Sequence, residues 1–210
     1  MLHRKVSSRL WRDSDFTGTS LPLSLDGVSV KINGRDAAVY GITPGQLNVQ
    51  APTDVAAGLV QVQVTNSLGT ATGSATLLSY APGFFVQGKY VAAVHTDGVL
   101  VVPAGFYGGA VTRAAQPGET LLIYGRGFGP TSPAVPAGQV FNGAAPLTDP
   151  SQVPIRIGGV PAKVTFAGMV FPGEYQFNVQ VPALPDGDYA IVADIGGVSS
   201  PAGLLIAVKN

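Results

Sequence analysis

Seven residues occur twice in this chain with five identities: Gln46-Leu47-Asn48-Val49-Gln50-Ala51-Pro52 and Gln176-Phe177-Asn178-Val179-Gln180-Val181-Pro182. A Pro-Gly pair precedes each copy, at Pro44-Gly45 and Pro172-Gly173. Apolar and polar residues alternate in both, which is the period of a strand with one buried face, and each stops at a proline, which has no N–H for a ladder. Such a recurrence marks duplication of a β-domain. The polar set Gln46, Asn48 and Gln50, with its repeat Gln176, Asn178 and Gln180, then shares one face of each strand, where it meets solvent, a neighbouring loop or the other domain.

The neighbourhood of each copy extends the match. Val28 to Ile32 alternates cleanly and closes on Asn33-Gly34, the strongest short hairpin signal, while Val153 to Ile157 closes on Gly158-Gly159. Further strands are expected at Leu21–Leu25, Ala37–Tyr40, Val60–Val64, Thr70–Tyr80, Thr120–Tyr124, Tyr189–Ala193 and Leu204–Val208. No window of ten residues carries a capped 3.6 period, so almost no helix is expected. Residues 83–116 fall outside the repeat and read as a short-stranded connector, turned at Gln87-Gly88 and Asp97-Gly98. The expectation is all-β: an immunoglobulin-like β-sandwich over 1–82, a β connector over 83–116 and a second sandwich over 117–210.

Composition narrows the function classes. Charged residues are 11% of the chain against roughly 25% in average soluble proteins, whereas 28 Gly and 17 Pro accompany 46% apolar residues. That is a turn-rich strand profile, and so much apolar content argues against disorder. Net charge is zero, but Arg4, Lys5, Arg9 and Arg12 cluster at the start, leaving eight bases among twelve acids beyond. Eight scattered bases make no phosphate-binding face, so a nucleic-acid partner is excluded. The absence of cysteine removes disulfides, thiolate zinc sites and thiol nucleophiles. No apolar run reaches the length of a membrane span, and Met1 to Arg12 lacks the apolar stretch of a signal peptide.

Tyr124-Gly125-Arg126-Gly127-Phe128-Gly129-Pro130, with a following strand, a Gly-Gly turn, a proline-ended strand and Gly196 to Ser200, resembles the immunoglobulin-like IPT/TIG fold. Across nearly its whole length the chain also resembles the Solibacter-type uncharacterised C-terminal domain family of soil bacteria. The residues carrying this are Ser14–Pro22, Asp26–Gly34, Pro44–Pro52, Ala81–Phe84, Tyr124–Pro130, Ile157–Ala162, Phe166-Ala167-Gly168 and Gly196–Ser200. The resemblance implies a C-terminal piece of a longer exported protein, placed outside the cell or on its surface, and brings no catalytic residues with it. One departure stands out: Trp11 to Phe16 lacks the glycines of its counterpart Tyr124 to Phe128, which predicts an incomplete or irregular first strand in the first domain.

Candidate chemistry is sparse. Gly125, Gly127 and Gly129 follow a strand, but in G-x-G-x-G spacing with prolines after them, so no helix N-terminus is offered to a dinucleotide. His3 and His95 are the only histidines, and no G-x-S-x-G elbow occurs. His95 and Asp97, two apart on a strand end, share a face and form the one candidate acid-base pair. Asp13 with Asp15, and Asp186 with Asp188, are candidate calcium ligands, although turn formation is the plainer account of both. Zinc lacks a ligand pair. The loop Pro103 to Ala110 presents Phe106-Tyr107 among glycines, a candidate binding tip whose plainer role is packing.

These features favour a non-catalytic extracellular accessory or adhesion module that binds a surface, a polysaccharide or a protein, without a cofactor. The alternatives are a hydrolase of small esters or lactones, using His95 with Asp97 or a calcium-bound water, and a structural spacer.

Overall fold

A computed structural model describes residues 8–148 and 153–210. His3, Arg4 and Lys5 lie outside the described residues. The chain divides into two compact units, Met1–Ser79 with Val135–Asn142, and Tyr80–Ala134 with Gly143–Asn210. Among the described residues the helical content is one 3-10 turn, Asp13–Asp15, and no helix is long and apolar enough to cross a membrane.

The first unit holds β1 (Arg9–Leu10), β2 (Ser24–Leu25), β3 (Val28–Ile32), β4 (Arg35–Thr43), β5 (Gln46–Gln50), β6 (Gly58–Asn66) and β7 (Gly69–Leu77). Asn33 and Gly34 both have positive φ, 46° and 78°, the conformation a two-residue hairpin between right-twisted strands needs. β4 is the corner: its first three residues pair with β3, and from Ala38 onward it pairs with β5. One layer is therefore β4-β3-β6-β7 and the other β1-β4-β5. Val30, Ile32, Ala37 and Val60 form a buried cluster between them, against which Leu47, Val49, Val62 and Val64 pack while only partly buried. The segment 135–142 joins this unit through Leu21 N–H to Gly138 O (2.9 Å) and Val140 N–H to Thr19 O (2.7 Å).

The second unit begins with short strands: β8 (Gly83–Phe84), β9 (Val86–Gln87), β10 (Tyr90–Val91), β11 (Ala93–His95), β12 (Leu100–Val101) and β13 (Thr112–Arg113). Then come β14 (Thr120–Arg126), β15 (Ala145–Pro146), β16 (Ile155–Ile157), β17 (Val160–Phe171) and β18 (Glu174–Gln180). β19 (Gly187–Ile195), β20 (Val198–Ser199) and β21 (Leu205–Val208) complete it. β17 repeats the corner of β4, pairing with β16 through its first three residues and with β18 from Lys163 onward. One layer runs β17-β16-β19-β21-β10-β9, and the other β17-β18-β14-β11-β12-β13. Phe128 and Phe177, ring centroids 4.4 Å apart, are fully buried at the centre with Leu121, Ile123, Ile155, Ile157 and Ile191.

The fold is thus two tandem immunoglobulin-like β-sandwiches, and their kinship extends to single residues. Val39 pairs with Val49 and Gly41 with Asn48, so Tyr40 is bulged; Val164 pairs with Val179 and Phe166 with Asn178, so Thr165 is bulged at the matching place. A bulge re-aims a strand, which suits a strand that changes layer. Residues 83–116, set apart on sequence alone as a connector, pair throughout with the second unit: β11 with β14 over Ala93–Ile123 to His95–Leu121, and β10 with β21 at Tyr90–Leu205. The reason is length, since strands of two or three residues cannot hold a sheet of their own: β9, β12 and β13 pair with their short neighbours, and the set is anchored through β10 on β21 and β11 on β14.

The glycines of Tyr124 to Pro130 serve close approach. A Cβ on Gly127, at φ 77°, would lie 2.0 Å from the carbonyl oxygen of Ala81, and one on Gly129 would lie 2.3 Å from the Tyr80 ring. Glycine there lets Tyr80–Phe84 lie against the end of β14.

Candidate functional site

The exposed aromatic side chains of the second unit are organised by β10. Tyr90 is buried, its hydroxyl donates to Asp188 Oδ2 at 2.9 Å, and Lys89 donates to the same oxygen at 2.9 Å. Lys89 Nζ also stands 5.0 Å from the centre of the Tyr90 ring. Phe106 meets that ring edge-on at a centroid distance of 5.4 Å, and Tyr107 meets Phe106 edge-on at 4.9 Å. Gly88 makes room, since a Cβ there would lie 3.0 Å from Phe106 Cζ. The loop is fastened by Phe106 N–H to Pro103 O (3.0 Å), Thr112 Oγ1 to Pro103 O (2.9 Å) and Ala110 N–H to Tyr107 O (3.2 Å).

Phe106 and Tyr107 remain 39% and 38% exposed, so the pair forms a ledge standing on a buried tyrosine. Burial, and then the hydrogen bond to Asp188, raise the Tyr90 hydroxyl above the usual tyrosine range, and Asp188 raises Lys89. Burial alone would raise the Asp188 carboxyl, but donation from Lys89 and Tyr90 outweighs it and holds it below the usual range. At neutral pH the support therefore carries a fixed Lys89–Asp188 ion pair and a neutral phenol. Such a ledge offers flat aromatic area and polar neighbours, and no reactive group.

The sequence candidates fall elsewhere. His95 is 1% exposed; its Nδ1 lies 3.1 Å from Glu119 Oε2 and its Nε2 lies 3.2 Å from the carbonyl oxygen of Arg113. Both ring nitrogens are thereby engaged, tying β11 to the turn that leads into β14. Asp97 instead accepts from Val99 N–H (3.1 Å) and from Arg113 Nη2 (2.9 Å), and these two bonds hold its carboxyl below the usual range. The carboxylate partner of His95 is Glu119, 24 residues away in sequence.

Asp13 and Asp15 lie on the 3-10 turn, where Arg9 takes both oxygens of Asp15 at 2.6 and 3.1 Å and reaches Asp26 at 2.8 Å. Asp186 accepts from the backbone and side-chain nitrogens of Asn210 at 2.8 and 2.9 Å, whereas Asp188 faces Lys89 and Tyr90. Asp186 and Asp188 thus hold different partners, and no cluster of three potential ligands occurs among the described residues. Of the twin polar residues, Gln46 Nε2 donates to Asn48 Oδ1 at 2.7 Å and Gln176 Nε2 to Asn178 Oδ1 at 2.8 Å, while Gln50 Oε1 accepts from Gly138 N–H at 2.9 Å and Gln180 Nε2 donates to Gly118 O at 3.0 Å. A depression of about 290 Å³ beside Gln46 and Asn48 is lined also by Arg9, Leu10 and Thr43. Phe106 and Tyr107 are discernible as an aromatic pair in a glycine-rich loop and Gly88 as a turn residue, but nothing local marks Lys89 and Tyr90 as their support.

Residues 110–205 match the IPT/TIG domain. No curated protein sequence matches the chain. Among solved structures, the Bacteroides ovatus mixed-linkage glucan utilization locus protein SGBP-B, in complex with a mixed-linkage heptasaccharide, is similar at 16% identity and a TM-score of 0.34. The match covers 87% of this chain and 37% of that one, so the chain spans well under half the length of that protein. A tandem pair of titin immunoglobulin domains matches at 12% identity and a TM-score of 0.27, covering 88% and 83% of the two chains. Domains 4 and 5 of the S-layer protein SbsC match at 14% identity and a TM-score of 0.25, covering 88% and 71%.

Proposed function

We propose that this chain, with an IPT/TIG match over residues 110–205, is a non-catalytic accessory module of an exported protein, of the Solibacter-type C-terminal domain kind. Its second unit binds polysaccharide outside the cell through the Phe106–Tyr107 ledge. The observation that carries this reading is the half-exposed aromatic pair braced on buried Tyr90. Aromatic faces held in place by a scaffold present large apolar area at little cost in side-chain entropy, and sugar rings offer C–H edges to such faces. Reactive groups are missing from the ledge, and the buried His95 has both nitrogens occupied, which favours binding over turnover.

Affinity electrophoresis of the whole chain in gels containing soluble β-glucan, xylan or galactomannan tests it. Retardation in at least one gel is expected, with loss in Phe106→Ala and Tyr107→Ala while thermal unfolding stays nearly unchanged. Equal mobility in every polysaccharide gel, or retardation that both variants keep, would overturn the ledge as the binding site. Turnover of nitrophenyl esters that disappears in His95→Ala would overturn the non-catalytic reading.

A further inference from the structure

The second unit shows how the outer edge of the twin strand is filled. β14 runs antiparallel along β18, with Leu121 opposite Val179 and Ile123 opposite Phe177, and all four side chains are fully buried. In the first unit, β5 pairs with β4 along one edge, and no strand pairs with the other among the described residues. β1 does not take that place. It lies on β4 at Gly41 and Ile42, the edge opposite β5, as β15 lies on β17 at Gly168 and Met169. Leu47 and Val49, the counterparts of Phe177 and Val179, are consequently only half-buried.

We propose that β5 is a self-pairing edge: two copies of the chain join β5 to β5 antiparallel about a two-fold axis at Asn48. The sequence Gln-Leu-Asn-Val-Gln reads the same in polarity from either end, so the pairing sets Leu47 opposite the second copy's Val49. That copy then presents leucine to Val49 and a β-branched residue to Leu47. β14 presents the same to β18, with Leu121 facing Val179 and Ile123 facing Phe177. Antiparallel pairing about such an axis keeps both apolar faces on one side of the joined sheet, and β5 carries no charge to repel its own copy. β7, another edge strand, is a poorer candidate, because its Ala71, Gly73 and Ala75 share the face of Val64, Val62 and Val60 and are too small to close an opening.

Sedimentation equilibrium from about 1 µM to about 1 mM, the range of a weak association, tests this. The mass should rise from that of one chain, 21.4 kDa, towards twice that value. Asn48→Asp and Asn48→Lys each set like charges about 5 Å apart across the axis, so each variant alone should stay monomeric, with circular dichroism confirming its fold. An equimolar mixture of the two should associate again. Amide exchange should slow with concentration at Gln46–Gln50 and not at Gly69–Leu77. A wild type that keeps the mass of one chain throughout, or association undiminished in both variants, would overturn the proposal.

Discussion

β5 and β18 share five of seven motif residues, the same bulged partner strand and the same Gln-to-Asn side-chain bond, yet they sit in different surroundings. β18 is an interior strand flanked by β17 and β14, and its Phe177 and Val179 are fully buried. β5 has one partner, and its Leu47 and Val49 are partly open. The motif therefore sets register and local bonding, while burial is set by what lies alongside. In the second unit the flanking strands come from residues 83–126, which supply β14 to one layer and β10 to the other. β14 itself belongs to the repeat: where it pairs with β18, the matching residues 11–16 of the first unit hold the 3-10 turn Asp13–Asp15 and no strand, so one of two symmetric copies is closed and the other is not.

The sharpest way to break this comparison is to delete the matched core side chain from each copy. Phe177→Ala should cost about 4 kcal/mol, because the cavity lies among Phe84, Phe128 and Val179. Leu47→Ala should cost roughly 1 kcal/mol, since its side chain is half-solvated and the site can relax. Chemical denaturation of the two variants measures the ratio, and equal costs would show that the first unit is as closed as the second.

A smaller contrast separates glycines that serve close approach from those that only turn. Gly127→Ala forces a Cβ into the Ala81 carbonyl at positive φ and should cost on the order of 3 kcal/mol. Gly34→Ala has positive φ and open space around it, so a loss of about 1 kcal/mol is expected. Melting curves of both variants decide it.

Alkaline titration should distinguish the units further. Burial pushes the Tyr175 hydroxyl up to about 12, and it donates to the carbonyl of Gly129; its place in the first repeat is Gly45, which has no titrating group. The folded state thus prefers the neutral phenol. The stabilisation is complete below the unfolded value of about 10 and is lost between there and about 12, at most roughly 3 kcal/mol. Wild type should lose stability over that window, and Tyr175→Phe should lose less.

Turn chemistry made much of the fold readable. Asn33-Gly34 and Gly158-Gly159 need positive φ, and the alternation on either side of each turn fixes which face is buried. Strands of two or three residues were not assignable in the same way. β10 and β11 owe their place in the sheets to β21 and β14, between 26 and 115 residues distant, and nothing in their own composition names those edges. The partner of His95 is hidden from the sequence for the same reason, because a shared strand face suggests Asp97 while the sheet brings Glu119. Phe106 and Tyr107 were visible, yet their support, Tyr90 with Asp188, spans almost a hundred residues. D-x-D spacing groups Asp188 with Asp186, because spacing says nothing about which of the two side chains meets a lysine.

Amide hydrogen exchange resolved along the chain, in dilute solution where the chain is monomeric, tests the central contrast most directly. A strand paired on both edges protects every amide, and a strand paired on one edge leaves alternate amides to water. Gln176–Gln180 should be protected throughout, while alternate amides of Gln46–Gln50 exchange at least about tenfold faster. Equal protection of the two segments would contradict the view that one sandwich is closed and the other open.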